Sequence, residues 1–128
     1  MTMTRVPSPS PYAPTIGFSA AVRAGDWVFV SGMTAVSGDG EVVGADDPAE
    51  QTREVVRKLA AALEAAGAGL GDVVRTRIYL VHPSDWEAVG TVHGEAFGEA
   101  SPAASMLVTG LLDPRMRVEI EAVAYAPA

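Results

Sequence analysis

The run from Met116 to Tyr125 alternates in character along most of its length. Val118, Ile120, Ala122 and Ala124 fall on one side of an extended chain, and Arg117, Glu119, Glu121, Val123 and Tyr125 fall on the other. Successive side chains of a strand point to opposite faces of a sheet. The pattern therefore requires a sheet with one face pressed onto a core and the other carrying charge. Val73 to Val81 repeats it: Val74, Thr76, Ile78 and Leu80 share the inward side, while Arg75, Arg77 and Tyr79 share the outward side. An all-helical chain is excluded by these two stretches.

Two helical segments supply a cover for the inward face. Asp47-Pro-Ala-Glu50 places a capping residue, a proline at the first helical position and a glutamate three residues after the cap, which is an N-terminal signature. Val55, Val56, Leu59, Ala62, Leu63 and Ala66 follow at helical spacing, and Gly67 is placed to terminate the helix. Ser84-Asp-Trp-Glu87 repeats the capping pattern and opens a second helix. Its inward stripe is Trp86, Val89, Gly90, His93 and Phe97, with Trp86 read as a core anchor and Gly98 as the end. Gly90 and Gly94 lie inside this helix, each at a cost of about 1 kcal/mol relative to alanine. Such a pair points to the close approach of another backbone or of a ligand, or is simply tolerated.

Upstream, Phe18 to Arg23 and Trp27 to Ser31 read as strands joined at Ala24-Gly25-Asp26, a hairpin signal. Trp27-Val-Phe-Val-Ser is rich in aromatic and β-branched residues and is expected to be central. Ser37-Gly-Asp-Gly40 is a second turn flanked by short strands. The order of strands, helix, strand, helix, strands predicts a two-layer α+β domain with both helices on one sheet face. The uncovered face would mix Arg75, Arg77, Glu119 and Glu121 with Val123 and Tyr125, and is expected to be covered by another subunit.

A chain of 128 residues is one domain in the simplest reading, expected here over residues 15–128. Residues 1–14, rich in Ser, Thr and Pro and without an apolar signal core, read as a flexible arm. The net charge of −7 and the single lysine, Lys58, oppose nucleic-acid binding, which needs clustered cations facing phosphates. Absence of cysteine excludes disulfides, thiolate nucleophiles and cysteine-ligated metals. His82 and His93 are not at a metal-ligand spacing. No metal and no cofactor are expected. No apolar run approaches the roughly 20 residues of a membrane span, and the expected compartment is the cytoplasm.

Several short stretches, in this order and spacing, resemble the Rid (YjgF-like) family of imine/enamine deaminases. They are Gly17-Phe-Ser-Ala-Ala-Val22, Val28-Phe-Val-Ser-Gly32, Gln51-Thr-Arg53, Leu63-Glu-Ala-Ala-Gly67, Asp72-Val-Val-Arg-Thr76, Ser101-Pro-Ala103 and Val118-Glu-Ile-Glu-Ala122. The resemblance spans about Gly17 to Tyr125. It implies a chorismate-mutase-like fold, with a mostly antiparallel sheet and two helices on one face. It also implies a homotrimer whose clefts for a small-molecule substrate lie between subunits.

In the archetypal deaminases an arginine following Pro-Ala holds the substrate carboxylate, and a glutamate with backbone groups positions water for attack on the iminium carbon. The planar fork of arginine suits a carboxylate, and water attack needs a positioned acceptor. Carried over by position, Glu119 takes the role of the catalytic glutamate, and Ser31 and Gly32 match the cleft-lining Ser-Gly. Phe18 stands where a cleft tyrosine is usual, Met33 where glutamine is frequent, Gly90 where asparagine is common, and Ala104 where the arginine belongs. His93 and Ser105 join the substrate-binding group. Asp85-Trp-Glu-Ala-Val-Gly90 and His93-Gly-Glu-Ala-Phe-Gly98 are similar to family branches that lack the arginine.

Bland readings stand beside these roles. Glu119 could be a sheet-face partner of Arg75 or Arg77, and Glu121 reads as structural. His93 reads as a core or interface histidine, although an imidazole at a cleft would also serve as a base. Ser31 reads as a backbone contributor, since no Ser-His-acid pattern accompanies it. Arg115 or Arg117 could stand in for the missing arginine. The resemblance and its substitutions together imply an enzyme acting on a reactive imine or enamine, with archetypal 2-imino-acid deamination weak or absent. The alternative is a non-catalytic small-molecule-binding or protein-interaction module on the same fold.

Overall fold

A computed structural model describes residues 2–127; Met1 and Ala128, the outer ends of the expected arm and domain, lie outside the described residues. The alternating segments pair into one six-stranded sheet. In chain order the elements are β1 (Met3–Val6), the one-turn helix α1 (Ala13–Ile16), β2 (Ala21–Ala24), β3 (Trp27–Met33), α2 (Pro48–Ala65), β4 (Val73–Leu80), α3 (Trp86–Phe97), β5 (Ala103–Val108) and β6 (Val118–Tyr125). The strand order across the sheet is β1-β2-β3-β6-β4-β5. All pairings are antiparallel except β4 with β5, which are parallel. A parallel pair needs a crossover, and α3 provides it.

The two-layer α+β architecture read from the alternation is present. Val118, Ile120, Ala122 and Ala124 are buried together with Val28, Val30, Ile78 and Leu80. Leu59, Leu63 and Val55 of α2 and Val89 and Phe97 of α3 close the same core. Asp47 caps α2 as expected, its carboxylate accepting from the Glu50 N–H at 3.1 Å. Gly67 follows the helix with φ of 80°, the left-handed conformation that glycine adopts without a Cβ penalty. Arg23 then reaches the exposed C-terminal carbonyls and donates to Ala66 O at 2.9 Å, a favourable placement for a cation.

Several details differ from the expectations. The segment read as a flexible arm contains β1, whose Met3–Val6 register pairs with Ala24–Ala21 at the sheet edge; backbone hydrogen bonding holds it where its composition offers no apolar stripe. Val74 is 43% exposed and Val73 is buried instead, because a register shift between Val73 and Arg75 changes the phase of the strand. Trp86 is 59% exposed and anchors nothing. The second helix starts after a short 3-10 turn, Pro83–Asp85, without a side-chain cap. The buried Asp85 carboxylate there receives Arg117 through Nε at 2.9 Å and Nη2 at 2.8 Å. Within this chain no close approach requires the glycine pair in α3: a Cβ on Gly90 would meet only Met106 Cε at 4.0 Å, and one on Gly94 would meet nothing within 4 Å.

The face of the sheet away from the helices is uncovered in the single chain. Trp27, Phe29, Leu107 and Tyr125 stand exposed on it, and the Trp27 and Tyr125 rings lie 4.8 Å apart. The three on the adjacent strands β3 and β6 make a contiguous apolar surface, of the kind that marks an interaction site.

Candidate functional site

A local irregularity in β3 organises the site. Val30 pairs with Ala122 and Met33 with Ile120, so Ser31 and Gly32 together oppose the single residue Glu121. An extra residue of this kind is left out of the ladder and bends the strand. The bend turns Met33 into the hydrophobic core, away from the ligand-contacting place expected for it. It also brings the Gly32 backbone against the Glu119 side chain. A Cβ added to Gly32 would lie 2.7 Å from Glu119 Oε2 and 2.9 Å from Cδ, so only glycine leaves the carboxylate its present position. Ser31 is fixed by the same bend, its hydroxyl donating to Ser19 O at 2.6 Å and its N–H to Ala20 O at 2.9 Å. With its hydroxyl so engaged, Ser31 shapes the wall through its backbone.

Ser31, Gly32, Glu119 and Phe18 line one cavity of about 350 Å³. The sequence reading missed the rest of its wall. Tyr12 and Ile16 of the N-terminal segment close one side, and Leu111, Leu112 and Asp113 of the loop before β6 close another. The available signal was the Leu111-Leu112 pair, two large apolar residues in a loop that offers no element in which to bury them.

Glu119 and Glu121 share a face of β6 and have opposite environments. Glu121 accepts a hydrogen bond from the Tyr79 hydroxyl and lies 3.6 Å from Arg77 Nη1. Glu119 has no hydrogen bond and no ion pair among the described residues. The sheet-face ion pair considered for Glu119 thus belongs to Glu121. Burial, then the neighbouring Glu121 charge, hold the Glu119 carboxyl above the usual carboxylate range. A half-buried, unpaired carboxylate with a raised proton affinity, facing a cavity, has the properties of a general base.

The remaining candidates lie elsewhere. Ala104 sits on the edge strand β5 in register with Thr76. The Thr76 hydroxyl is 2.9 Å from His93 Nε2, and the His93 ring packs on Phe97 at 4.7 Å. Burial lowers the proton affinity of His93, and within this chain its ring is engaged by Thr76 and Phe97. Gly90 is one turn before it on α3. Ser105 faces the uncovered side, where its hydroxyl accepts from Arg75 Nη2 at 3.2 Å. The candidates therefore form two groups: Phe18, Ser31, Gly32 and Glu119 at the cavity, and Gly90, His93, Ala104 and Ser105 at the β5 edge.

Neither arginine considered as a replacement anchor is free. Arg117 is held by Asp85 and also donates to Asp46 O at 3.2 Å. Arg115 grips Asp113 through Nε at 3.0 Å and Nη2 at 2.6 Å and reaches Gly40 O. Hydrogen bonds from Arg115 pull the Asp113 carboxyl down to about 2. Among the described residues no cluster of His, Asp and Glu is placed to hold a metal ion, and no helix is long and apolar enough to cross a membrane.

Comparisons with known proteins agree with this architecture. A profile of the family described as "Endoribonuclease L-PSP" matches residues 9–126. The 3-aminoacrylate deaminase RutC of Acinetobacter baylyi is 35% identical over 118 residues, covering 92% of this chain and 91% of the relative. A RutC family protein of Pyrococcus horikoshii is 36% identical over 119 residues, with coverage of 92% and 91%. The crystal structure of a YjgF-family member from Mycobacterium tuberculosis superposes with a TM-score of 0.88 at 44% identity, covering 98% of this chain and all of that one.

Proposed function

The chain belongs to the YjgF/Rid family, and from that premise we propose that it hydrolyses a reactive imine or enamine of small-molecule size, with Glu119 as the catalytic base. The carrying observation is the unpaired Glu119 carboxylate seated against Gly32 in the wall of the 350 Å³ cavity. In the reaction, water oxygen adds to the iminium carbon as the C=N π electrons move to nitrogen. Glu119 accepts the proton lost by the water. Glu119 returns that proton to the carbinolamine nitrogen, ammonia leaves as the hydroxyl oxygen forms the C=O bond, and the hydroxyl proton passes to the released ammonia, giving the carbonyl product and ammonium. Phe18 offers an apolar wall without a hydroxyl, and Ala104 offers no carboxylate anchor.

The cleft is proposed to be completed between subunits of a homotrimer. Two observations support this: the division of the candidate residues into a cavity group and a β5-edge group, and the exposed Trp27, Phe29, Leu107 and Tyr125 of the uncovered face. The acidic chain and a cavity containing Glu119 and Asp113 give a ribonuclease reading no cationic footing for phosphates. The test is Glu119→Gln, assayed by ammonia release from imines generated in situ. A loss of roughly 10²- to 10⁴-fold is expected for a positioned base; unchanged turnover overturns the assignment.

A further inference from the structure

The charged groups at the cavity identify a class of substrate. Glu119 and Asp113 line it, and among the described residues no lysine or arginine does. The neighbouring cations are engaged within the chain, with Arg77 3.6 Å from Glu121, apart from the buried Arg75 Nε, which has no partner among the described residues. Arg115 is bound to Asp113 and Gly40 O, Arg117 to Asp85 and Asp46 O, and Lys58 to Thr34 O and Val36 O. Arg75 lies on β4 in register with Ala103, while Ala104 is in register with Thr76; alternate residues of a strand face opposite sides. Arg75 therefore lies on the uncovered side, which it shares with Glu119 and not with Ala104, and its Nη2 is given to Ser105.

The rest of the wall is apolar. Phe18 and Met116 form part of the lining. Ile16 and Leu112 stand at 61% and 84% exposure. Two large apolar side chains left in solvent on either side of one cavity are placed to be covered by a ligand. Within one chain, the described lining thus offers negative charge at Glu119 and Asp113, an apolar surface for the substrate body, and no lysine or arginine for a substrate carboxylate.

We infer that the substrate of this site is an imine or enamine without a carboxylate, bearing an apolar body and cationic when protonated. The inference rests on the reading of the site as an imine hydrolase and narrows it. The chemistry also states what supplies such a substrate. Removing two electrons and two protons from a primary amine leaves a carboxylate-free imine, so an amine-oxidising reaction precedes this one, rather than amino-acid oxidation. The overall step is R₂C=NH₂⁺ + H₂O → R₂C=O + NH₄⁺, which balances in atoms and charge without a redox partner.

The experiment compares two imines that differ only in the carboxylate. One is produced from 2-phenylethylamine by an amine oxidase and the other from phenylalanine by an amino-acid oxidase, each in the presence of the full-length protein. Ammonia release is measured above the non-enzymatic rate. A preference of roughly ten- to hundred-fold in kcat/KM for the amine-derived imine is expected, the scale of one charge-assisted contact that the carboxylate fails to find. Acceleration of both imines with equal kcat/KM, or with the imino acid preferred, overturns the substrate class and leaves imine hydrolysis standing. Acceleration of neither imine overturns imine hydrolysis itself, and this inference with it.

Discussion

Replacing Gly32 by alanine separates the role of Glu119 in the fold from its role in the site. The added methyl would stand 2.7 Å from Glu119 Oε2, 2.9 Å from Cδ and 3.1 Å from Cγ. Gly32 is not among the residues with positive φ, so alanine meets no backbone penalty there. All three clashing atoms belong to one side chain, and the cavity lies beside it, so the carboxylate can move aside. Overpacking costs typically 1–3 kcal/mol; with room to yield, a value near the lower end is expected, about 1 kcal/mol. For a chain of this size that lowers Tm by about 3–5 °C.

Catalysis should suffer more. A misplacement of about 1 Å in a positioned group can cost roughly 10²-fold in rate. The expected result is a kcat for imine hydrolysis reduced about a hundred-fold with KM little changed, and a modest fall in Tm by scanning calorimetry. Gly94→Ala is the control: its Cβ would meet nothing within 4 Å, and alanine in a helix interior should raise stability by about 0.5–1 kcal/mol. If Gly32→Ala keeps both the parental kcat and the parental Tm, the carboxylate does not rest on Gly32 and the site geometry argued above is refuted.

Glu119→Gln should raise Tm at pH 7 while lowering turnover. The folded-state proton affinity of Glu119 is raised by burial and by Glu121, so its favourable contribution is complete below the ordinary glutamate value of 4.5 and is lost as pH rises through the folded value; melting curves should show the advantage of the variant disappearing below pH 4.5. Asp85→Ala should destabilise by about 3–5 kcal/mol in urea unfolding, because it leaves the Arg117 guanidinium without its carboxylate at a site where the Asp85 side chain is only 7% exposed. Phe29→Lys places a charge on the uncovered sheet face and should reduce the oligomer mass measured by light scattering. A lysine variant that elutes with unchanged mass would argue that this face is not the contact surface.

Periodicity carried most of the architecture. The alternation of Val118, Ile120, Ala122 and Ala124 with charged neighbours, and the Asp47-Pro48 start of α2, depend on covalent geometry and on contacts within a few residues, which a sequence displays directly. Trp86 failed for the complementary reason: a large apolar residue at the first turn of a helix is buried only if something packs over it, and none of the described residues of this chain covers it. Val74 failed because the register shift that reverses the phase of β4 is set by pairing with Val123 and Ala124, nearly fifty residues away.

The sequence alone determined a helix-covered sheet with one charged face, and the resemblance it carries picked out Glu119, Gly32 and Ser31 as a group and Ala104 as a missing anchor. Only the tertiary structure decided that Glu119 is the unpaired carboxylate and Glu121 the paired one. Both glutamates alternate identically along β6, and the donors that distinguish them, Tyr79 and Arg77, come from another strand. Tertiary structure also placed Tyr12, Ile16 and Leu112 beside Glu119. A cavity is made where distant segments fail to meet, and no periodicity within one segment can record that gap.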